Sequence, residues 1–282
     1  MGRYAVLVTG PAGSGKSTLC SALITHAHSA GRNVHLFNLD PAAEHFEYAP
    51  AIDIRELVSL ADVMEEMGLG PNGGLVYCFE YLLENLDWLE EQLGAFDDDY
   101  IIIDCPGQIE LYTHTPLITR LLSILTTTYN FRLCSLYLLE SNFIDDAPKY
   151  FAGVMSAMSS MINLDCACIN VMSKMDLVKS GDTGEKTQGG RNRRELQRYL
   201  DPDPLLLVEE ANSRTNPKFH ALNQALVQLI DDFSMVSFMP LDSTDEDSVG
   251  SLLSHVDNAM QYGEDEEPKE PKDLDGGDFG DE

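Results

Sequence analysis

The sequence predicts an α/β fold in which helices cover both faces of a doubly wound, mostly parallel sheet. Six short runs of apolar, β-branched or aromatic residues alternate with segments whose apolar residues recur at helical spacing. The runs are almost continuously apolar, as expected for parallel strands that are buried on both faces. Regular alternation of strand and helix then indicates one domain with right-handed crossovers.

The predicted elements cover nearly the whole chain. The predicted strands are residues 4–9, 34–39, 100–104, 134–139, 167–172 and 235–239, and the predicted helices are residues 17–29, 74–93, 116–128, 147–161, 219–231 and 248–261. We assign residues 1–262 to a single domain with helical insertions between its strands. Within it, residues 179–195 are polar and glycine-rich, which predicts a mobile inserted loop.

The charge balance is strongly acidic. The 282 residues include 18 Lys and Arg against 47 Asp and Glu, for a formal net charge of −29. Binding to nucleic acid or to an anionic membrane needs clustered basic side chains, so we expect neither as a direct partner. A protein with basic surfaces is a better match. Residues 263–282 predict a disordered acidic tail, whose role is either solubility or docking of a partner.

The cysteines and the apolar segments indicate the cellular compartment of the protein. Six cysteines lie mostly in apolar stretches and none forms a C-x-x-C pair, which favours buried, reduced thiols in an intracellular protein. The sequence shows no secretory signal and no apolar run of membrane-spanning length. We therefore expect a cytoplasmic protein, with shuttling to the nucleus left open.

Residues 10–17 read GPAGSGKS directly after the first predicted strand and match the phosphate-loop pattern G-x-x-x-x-G-K-[ST]. Glycines let backbone N–H groups curl around a phosphate, and the positive end of the following helix faces the anion. Lys16 is expected to reach the β- and γ-phosphates, and the Ser17 hydroxyl to bind Mg²⁺. The chain is therefore predicted to be a P-loop NTPase that binds nucleotide through Gly13, Ser14, Gly15, Lys16, Ser17 and Thr18.

A second acidic motif follows the predicted strand at residues 100–104. Asp104 begins the pattern D-x-x-G, which Gly107 completes, and Gln108 comes next. Taken alone, this is a common turn. Beside a phosphate loop, it indicates that Asp104 holds Mg²⁺ through water and that Gln108 orients the attacking water. We predict Gln108 to be catalytic.

Two further carboxylates compete for a catalytic role. Asp40 follows the predicted strand at residues 34–39, and ligands bind at the carboxyl ends of such strands. It could act as a base or touch Mg²⁺ through water, or it could merely cap a helix that begins at Asp-Pro-Ala-Ala. Asp53, in the segment Asp-Ile-Arg, is the rival candidate. We predict Asp40 to be catalytic and leave Asp53 open.

The segment Ser173-Lys174-Met175-Asp176 follows the predicted strand at residues 167–172. A carboxylate at Asp176 can accept two hydrogen bonds from guanine, a pair that adenine does not offer. The stem of Lys174 can pack along the purine. Ser173 departs modestly from the usual pattern [N/T]-K-x-D but keeps a hydroxyl. The segment predicts a site for guanine, although the phosphate loop alone does not choose the base.

Residues 70–74 read Gly-Pro-Asn-Gly-Gly, which taken alone predicts a turn. The phosphate loop, D-P-A-A-E, G-P-N-G-G, D-C-P-G-Q-I-E-L and S-K-M-D, in this order and spacing, closely resemble the motifs of the GPN-loop GTPases. Further matches are D-I-R-E-L at residues 53–57 and Q-Y-G-E-D at residues 261–265. The resemblance therefore covers nearly the whole predicted domain.

The resemblance implies a SIMIBI-like dimeric GTPase that uses Mg²⁺ as cofactor and GTP as substrate. Gly70, Pro71 and Asn72 of one subunit would reach the nucleotide of the other, where Asn72 would act on the phosphates as an arginine finger does elsewhere. The implied partners are a paralogous GPN-loop GTPase in a heterodimer, with a homodimer left open, and subunits of RNA polymerase II. Assembly of polymerase II, with polymerase III implicated as well, and nuclear import are the implied roles.

Two other functions are compatible with the same sequence. One is an assembly chaperone that binds GTP structurally and turns it over negligibly. The other is an ATP-dependent P-loop enzyme. The first differs from a GTPase in its hydrolysis rate with and without a partner, and the second in its choice of base.

Overall fold

The computed structural model describes residues 2–44, 46–94, 100–179, 197, 199–201, 208–209, 212–213, 215–232 and 236–264 of the chain. These residues include the phosphate loop and every other predicted site residue. Nearly all of the predicted insertion at residues 179–195 and of the predicted tail at residues 263–282 lies outside them, so both stay predictions.

Within the described residues, seven parallel strands form one sheet. The strands are β1 (Arg3–Thr9), β2 (His35–Asn38), β3 (Ile52–Asp53), β4 (Tyr100–Asp104), β5 (Phe131–Glu140), β6 (Ala167–Ser173) and β7 (Phe238–Pro240), in the spatial order β3-β2-β4-β1-β5-β6-β7. The chain places β2 to β4 on one side of β1 and β5 to β7 on the other. Such a reversal leaves a crevice at the carboxyl ends of the central strands.

The helices lie between and beside these strands. They are α1 (Lys16–Ser29), α2 (Leu60–Met67), α3 (Pro71–Glu84), α4 (Leu86–Leu93), α5 (Glu110–Thr113), α6 (Leu117–Thr127), α7 (Ala147–Leu164), α8 (Asp176–Lys179), α9 (His220–Asp232) and α10 (Glu246–Met260). Short 3₁₀ turns span Ile54–Glu56, Ser141–Asp145 and Pro217–Phe219. Strands followed by covering helices confirm the predicted α/β class.

Helices cover both faces of the sheet, which is why the strands read as continuous apolar runs. On one face, Val6 and Val8 of β1 pack with Leu19 and Leu23 of α1 and with residues of α10. On the other face, Leu7 of β1 packs with residues of α3 and α6, while the β5–β6 half packs under α7 and α9. This packing holds the carboxyl ends of β1 and β4 at a common edge.

The structure differs from the predicted elements at residues 52–53, 74–93 and 70–74, among other places. β3 was not predicted, because two residues are too short a run to show a strand pattern. The predicted helix at residues 74–93 is two helices, since Asn85 leaves helical geometry (φ −116°, ψ 49°) between α3 and α4. The predicted turn at residues 70–74 is the start of α3, with Gly70 as N-cap and Pro71 in the first turn, where its missing N–H costs nothing.

Two expectations drawn from composition can be compared with the structure. All six cysteines are free thiols, and the predicted burial holds for four of them, whereas Cys166 and Cys168 are partly exposed. Burial raises the pKa of Cys78 to about 11 and that of Cys168 to about 12, so these thiols are held in their protonated form at neutral pH. Among the helices of the described residues, none has the length and apolar character needed to cross a membrane.

Candidate nucleotide-binding site

The phosphate loop joins β1 to α1 at the carboxyl edge of the sheet. Gly10 has φ +132°, and a Cβ there would lie 2.4 Å from the carbonyl oxygen of Leu138 in β5, so only glycine fits. Gly13 and Gly15 also have positive φ, at +81° and +91°, but a Cβ on either would meet nothing within 4 Å. The first glycine packs the loop against the sheet, and the other two leave an open concave backbone that suits a phosphate.

Helix α1 begins at Lys16, at the end of this loop. Its N-cap, Gly15, has a left-handed conformation and supplies no side-chain cap, so the first N–H groups of the helix keep their capacity for an anion. The Lys16 ammonium is buried and donates a hydrogen bond of 3.2 Å to the carbonyl oxygen of Pro11. Burial lowers the pKa of Lys16, and the nearby carboxylates of Asp104 and Asp40 oppose this effect.

Asp104 and Ser17 provide the groups that could hold Mg²⁺. Burial raises the pKa of the Asp104 carboxyl, whereas a hydrogen bond with Ser17 and the charge of Lys16 oppose the rise. Among the described residues, no group of three or more His, Cys, Asp or Glu side chains is placed to hold a metal ion. A hydroxyl with one carboxylate fits Mg²⁺, which usually keeps several waters and also binds substrate phosphate oxygens.

The D-x-x-G segment packs directly on the phosphate loop. A Cβ added to Gly107 would lie 2.9 Å from the Cα atom of Ala12, so the two backbones approach as closely as only glycine allows. The side-chain oxygen of the next residue, Gln108, is buried, and so is the hydroxyl of Ser14. Within the described part of the chain, neither atom has a hydrogen-bond partner. Two buried acceptors without partners beside the loop fit a site that a nucleotide and its water complete.

Asp40 lies just beyond β2 and belongs to the same charged group as Lys16 and Asp104. Burial raises the pKa of the Asp40 carboxyl, while the N–H of Ala42 and the charge of Lys16 oppose the rise. One carboxylate oxygen accepts the Ala42 N–H at 2.9 Å, which is a local turn and not the start of an α-helix. Helix capping is therefore excluded for Asp40, whose carboxylate lies close enough to Lys16 for the two charges to interact.

The carboxylate of Asp53, the rival candidate, is hydrogen-bonded to Arg55 and Asn38. Its carboxylate accepts hydrogen bonds from the Arg55 guanidinium, from the Arg55 backbone N–H and from the Asn38 amide at 2.8 Å. Burial alone would raise the pKa of Asp53, but these bonds outweigh it and the pKa is lowered. Both carboxylate oxygens already accept hydrogen bonds, so the role of Asp53 next to Asp40 is structural.

The predicted base-recognition segment follows β6. The Ser173 hydroxyl donates a hydrogen bond of 2.7 Å to the backbone carbonyl of Ser14, and Met175 is buried. Lys174 adopts φ +58°, and its ammonium contacts Glu140 at 2.8 Å, while Ser141 donates to its backbone carbonyl at 2.8 Å. Asp176 begins α8. The segment is thus held against the phosphate loop at one end and against the end of β5 at the other.

The Gly-Pro-Asn residues stand apart from this group. Gly70, Pro71 and Asn72 are exposed at the N-terminus of α3. The Gly74 N–H donates a hydrogen bond of 2.8 Å to the Gly70 carbonyl, as expected at the start of a helix. The structure therefore brings the phosphate loop, Asp40, Asp104, Gln108 and residues 173–176 together, and leaves Asn72 on the surface.

Comparison with known proteins assigns the family. Residues 8–262 match the model of a family described as "Conserved hypothetical ATP binding protein". "GPN-loop GTPase 3" of Mycosarcoma maydis is 76% identical over 279 residues, covering 99% of each chain. "GPN-loop GTPase 3" of Saccharomyces cerevisiae is 53% identical over 275 residues, covering 97% of this chain and 98% of that protein. The chain belongs to the GPN-loop GTPase family.

The fold has a counterpart among solved structures. A crystal structure described as a GTPase in apo form from Pyrococcus abyssi superposes with a TM-score of 0.72, at 22% identity, and the match covers 91% of this chain and 97% of that one. At this identity the likeness concerns the fold. This member of the GPN-loop GTPases and the archaeal protein therefore share their architecture over nearly their full lengths.

Sequence reasoning missed Asn38, Glu140 and Ser141 in this GPN-loop GTPase. Asn38 is fully buried, and its amide bonds the backbone of Asp40 and the carboxylate of Asp53. A polar residue inside the apolar run at residues 34–39 was a signal for it, because a buried amide needs partners. Glu140 and Ser141 carried no comparable signal, since their partner Lys174 is 34 and 33 residues away in the chain, respectively.

Proposed function

We propose that this GPN-loop GTPase binds GTP with Mg²⁺ and hydrolyses it to GDP and phosphate. One observation carries the proposal: where the phosphate loop meets α1, the buried Lys16 and Asp104 lie close together, and the exposed Ser17 hydroxyl forms a hydrogen bond with Asp104. A lysine, a hydroxyl and a carboxylate at that place are what a nucleoside triphosphate with Mg²⁺ requires. The names of the relatives support GTP as the nucleotide.

The proposed chemistry is in-line attack of water on the γ-phosphate. The partnerless oxygen of Gln108 would accept a hydrogen bond from that water, and the Asp40 carboxylate would help to orient it or take up its proton. Lys16 would stabilise the charge that develops on the phosphate oxygens. Mg²⁺, held through Ser17 and through water on Asp104, would neutralise phosphate charge.

Base selection is assigned to Asp176, and competition binding tests it. We expect ATP to displace labelled GTP poorly from the unmodified protein. Asp176→Asn should weaken GTP binding at least about tenfold, because a carboxylate paired with two N–H donors is lost. Xanthosine triphosphate should regain affinity for this variant, since its base carries an oxygen where guanine has an amino group. Asp62→Asn, an exposed carboxylate of α2, is the matched control. Tight binding of ATP would favour the ATP-dependent alternative.

Dimerisation is the second part of the proposal. The exposure of Asn72 at a helix N-terminus supports a role toward another subunit, as the family resemblance implies. Single-turnover hydrolysis should rise when a paralogous GPN-loop GTPase is added, and Asn72→Ala in the added subunit should remove this stimulation. Hydrolysis that stays negligible with every partner would favour the chaperone alternative.

The cellular role is the third part. The resemblance and the acidic charge support binding of RNA polymerase II subunits in the cytoplasm during their assembly and import into the nucleus, with polymerase III subunits as further candidates. Affinity purification in GTP-like and GDP states should recover polymerase subunits in one state only. Equal recovery after deletion of residues 263–282 would assign the acidic tail to solubility. Recovery of no polymerase subunit in either state would contradict this role.

A further inference from the structure

Three side chains outside the nucleotide site form a connected network behind Asp40. We propose that Asn38, Asp53 and Arg55 are positioning residues that hold the Asp40 carboxylate beside Lys16. This inference rests on the proposed hydrolysis of GTP and adds residues to which no role in it has been assigned.

Asn38 holds the backbone of Asp40 from both sides. Its side-chain oxygen accepts the Asp40 N–H at 3.0 Å, and its side-chain nitrogen donates to the Asp40 carbonyl at 3.1 Å. The same nitrogen donates to Asp53 at 2.8 Å. Asn38 is fully buried between β3 and β4, opposite Asp53 on one side and Asp104 on the other. Asn38 therefore fixes the position of the Asp40 backbone relative to β3 and β4.

Arg55 holds the segment that follows Asp40. Its guanidinium donates to both oxygens of Asp53 and, through another nitrogen, to the carbonyl of Ala43 at 2.9 Å. A guanidinium that bonds a carboxylate with two nitrogens has a fixed plane, so its remaining N–H group has a fixed direction as well. Asp53 thus joins the two arms of the network, Asn38 toward Asp40 and Arg55 toward Ala43.

The segment from Asp40 to Ala43 has few other attachments. Leu60 donates its N–H to the Pro41 carbonyl at 3.1 Å, and besides those of the network, the other bonds of this segment within the described part of the chain join residues 40–43 to one another. The carboxylate at its start also lies near two positive charges, Lys16 and Arg55. A misplacement of about 1 Å can cost a hundredfold in rate, so a network that fixes this short segment would act on turnover.

A second, partly buried ion pair serves as a matched control. Arg32 and Asp257 join α10 to the loop after α1 with an N–O distance of 2.8 Å, and both side chains are 20% exposed. Arg55 and Asp53 are 31% and 10% exposed. Arg32 stands near the N-terminal ends of the strands, over the ring of Tyr100, and so lies at the edge opposite the site. The same substitution in the two arginines separates stability from positioning.

The experiment measures kcat and KM for GTP in the full-length chain. Asn38→Ala and Arg55→Lys are each made alone and together with Asp40→Asn, and Arg32→Lys is the control. We expect each positioning variant to lower kcat about ten- to hundredfold with KM within about threefold of the unmodified value. In the Asp40→Asn background the further fall should stay within about twofold, because the network acts through Asp40. Arg32→Lys should leave kcat unchanged.

The outcomes distinguish this inference from the function on which it rests. Absence of GTP hydrolysis by the unmodified chain with its partner present would overturn the proposed function. Losses that multiply fully with Asp40→Asn would overturn the inference alone. Hydrolysis that is insensitive to Asp40→Asn would overturn the inference and the role of Asp40, and would leave GTP hydrolysis itself as the function. Thermal unfolding of every variant guards against loss of the fold, and Arg55→Lys, which keeps the charge, remains informative if Asn38→Ala does not fold.

Discussion

The hydroxyl of Ser173 donates a hydrogen bond of 2.7 Å to the backbone carbonyl of Ser14, although the two residues lie 159 positions apart in the chain. This bond ties the segment that is proposed to read the base to the loop that is proposed to bind the phosphates. Ser14 and Ser173 are both buried. The position of the segment proposed to bind the base is therefore coupled to the position of the loop proposed to bind the phosphates.

Ser173→Ala should weaken GTP binding about five- to tenfold, because a buried carbonyl loses its donor, which costs about 1 kcal/mol or more. Ser173→Thr keeps the hydroxyl and should bind within about twofold of the unmodified protein. Equilibrium binding of a fluorescent GTP analogue measures both variants.

The control for Ser173 is Thr119, whose hydroxyl also donates to a distant backbone carbonyl, that of Asn163, at 3.0 Å. Thr119→Ala should lower the melting temperature slightly and leave GTP affinity unchanged. If Ser173→Ala and Thr119→Ala behave alike in the binding assay, the contact between residues 173 and 14 has no role in binding.

Gln108→Leu tests the acceptor that has no partner. Leucine has a similar size but cannot accept a hydrogen bond from water, so single-turnover hydrolysis should fall about a hundredfold. Affinity for GTP should change little, since no contact to the nucleotide is assigned to this side chain. Turnover equal to that of the unmodified protein would remove Gln108 from the proposed mechanism.

Gly107→Ala tests the close packing of the D-x-x-G segment on the phosphate loop. The added methyl group would lie 2.9 Å from the Cα atom of Ala12, so one backbone must move. We expect a loss of about 1–3 kcal/mol in stability and at least a tenfold loss of hydrolysis, measured by thermal unfolding and by phosphate release.

A different glycine controls for backbone strain alone. Gly31 has φ +73° with open space around its Cα atom, so Gly31→Ala should cost about 1 kcal/mol. Hydrolysis should not change. Equal losses of activity in Gly31→Ala and Gly107→Ala would show that general destabilisation, and not the contact with Ala12, lowers turnover.

The loss of stability caused by Asp53→Asn should depend on pH in a defined direction. Hydrogen bonds from Arg55 and Asn38 outweigh burial and lower the pKa of Asp53 in the folded chain. Its ionised form therefore adds stability above the unfolded-state pKa of about 3.9, and this addition disappears as the pH falls through the folded-state value. We expect the variant to be about 1–3 kcal/mol less stable at pH 7.

Urea unfolding at several pH values measures this difference. It should be largest at neutral pH and shrink below about pH 4, where the unmodified side chain also becomes neutral. A difference that is constant from pH 7 to pH 3 would mean that the ionised carboxylate of Asp53 does not contribute.

Most strands and long helices of the fold could be predicted because their apolar residues recur with a regular period. β3 could not be predicted, since residues 52 and 53 are too few to show a period. The break at Asn85 could not be predicted either, because the helical pattern of apolar residues continues through it. Residues 70–74 were wrongly predicted as a turn, because Gly, Pro and Asn favour turns and helix starts alike. The local signal was correct, but its continuation into α3 depended on packing.

The candidate site likewise has a part that could be predicted from the sequence and a part that could not. The phosphate loop and D-x-x-G are contiguous motifs, and their chemistry follows from residue type and order. The choice between Asp40 and Asp53 is different, because both are acids that follow short apolar segments. The pairing of β2 with β3 brings Asn38 next to Asp53, whose carboxylate also binds Arg55, whereas the Asp40 carboxylate interacts with the charge of Lys16.

The sequence by itself determined the α/β class, the phosphate loop and the family, since each is written in residues that are close together in the chain. The tertiary structure alone decided which groups already have partners. Hydrogen bonds link Ser173 to Ser14, and Asn38 to both Asp40 and Asp53, while the buried Gln108 oxygen has no partner among the residues that the structure describes. Burial and distance in space set these relationships, and neither follows from order along the chain.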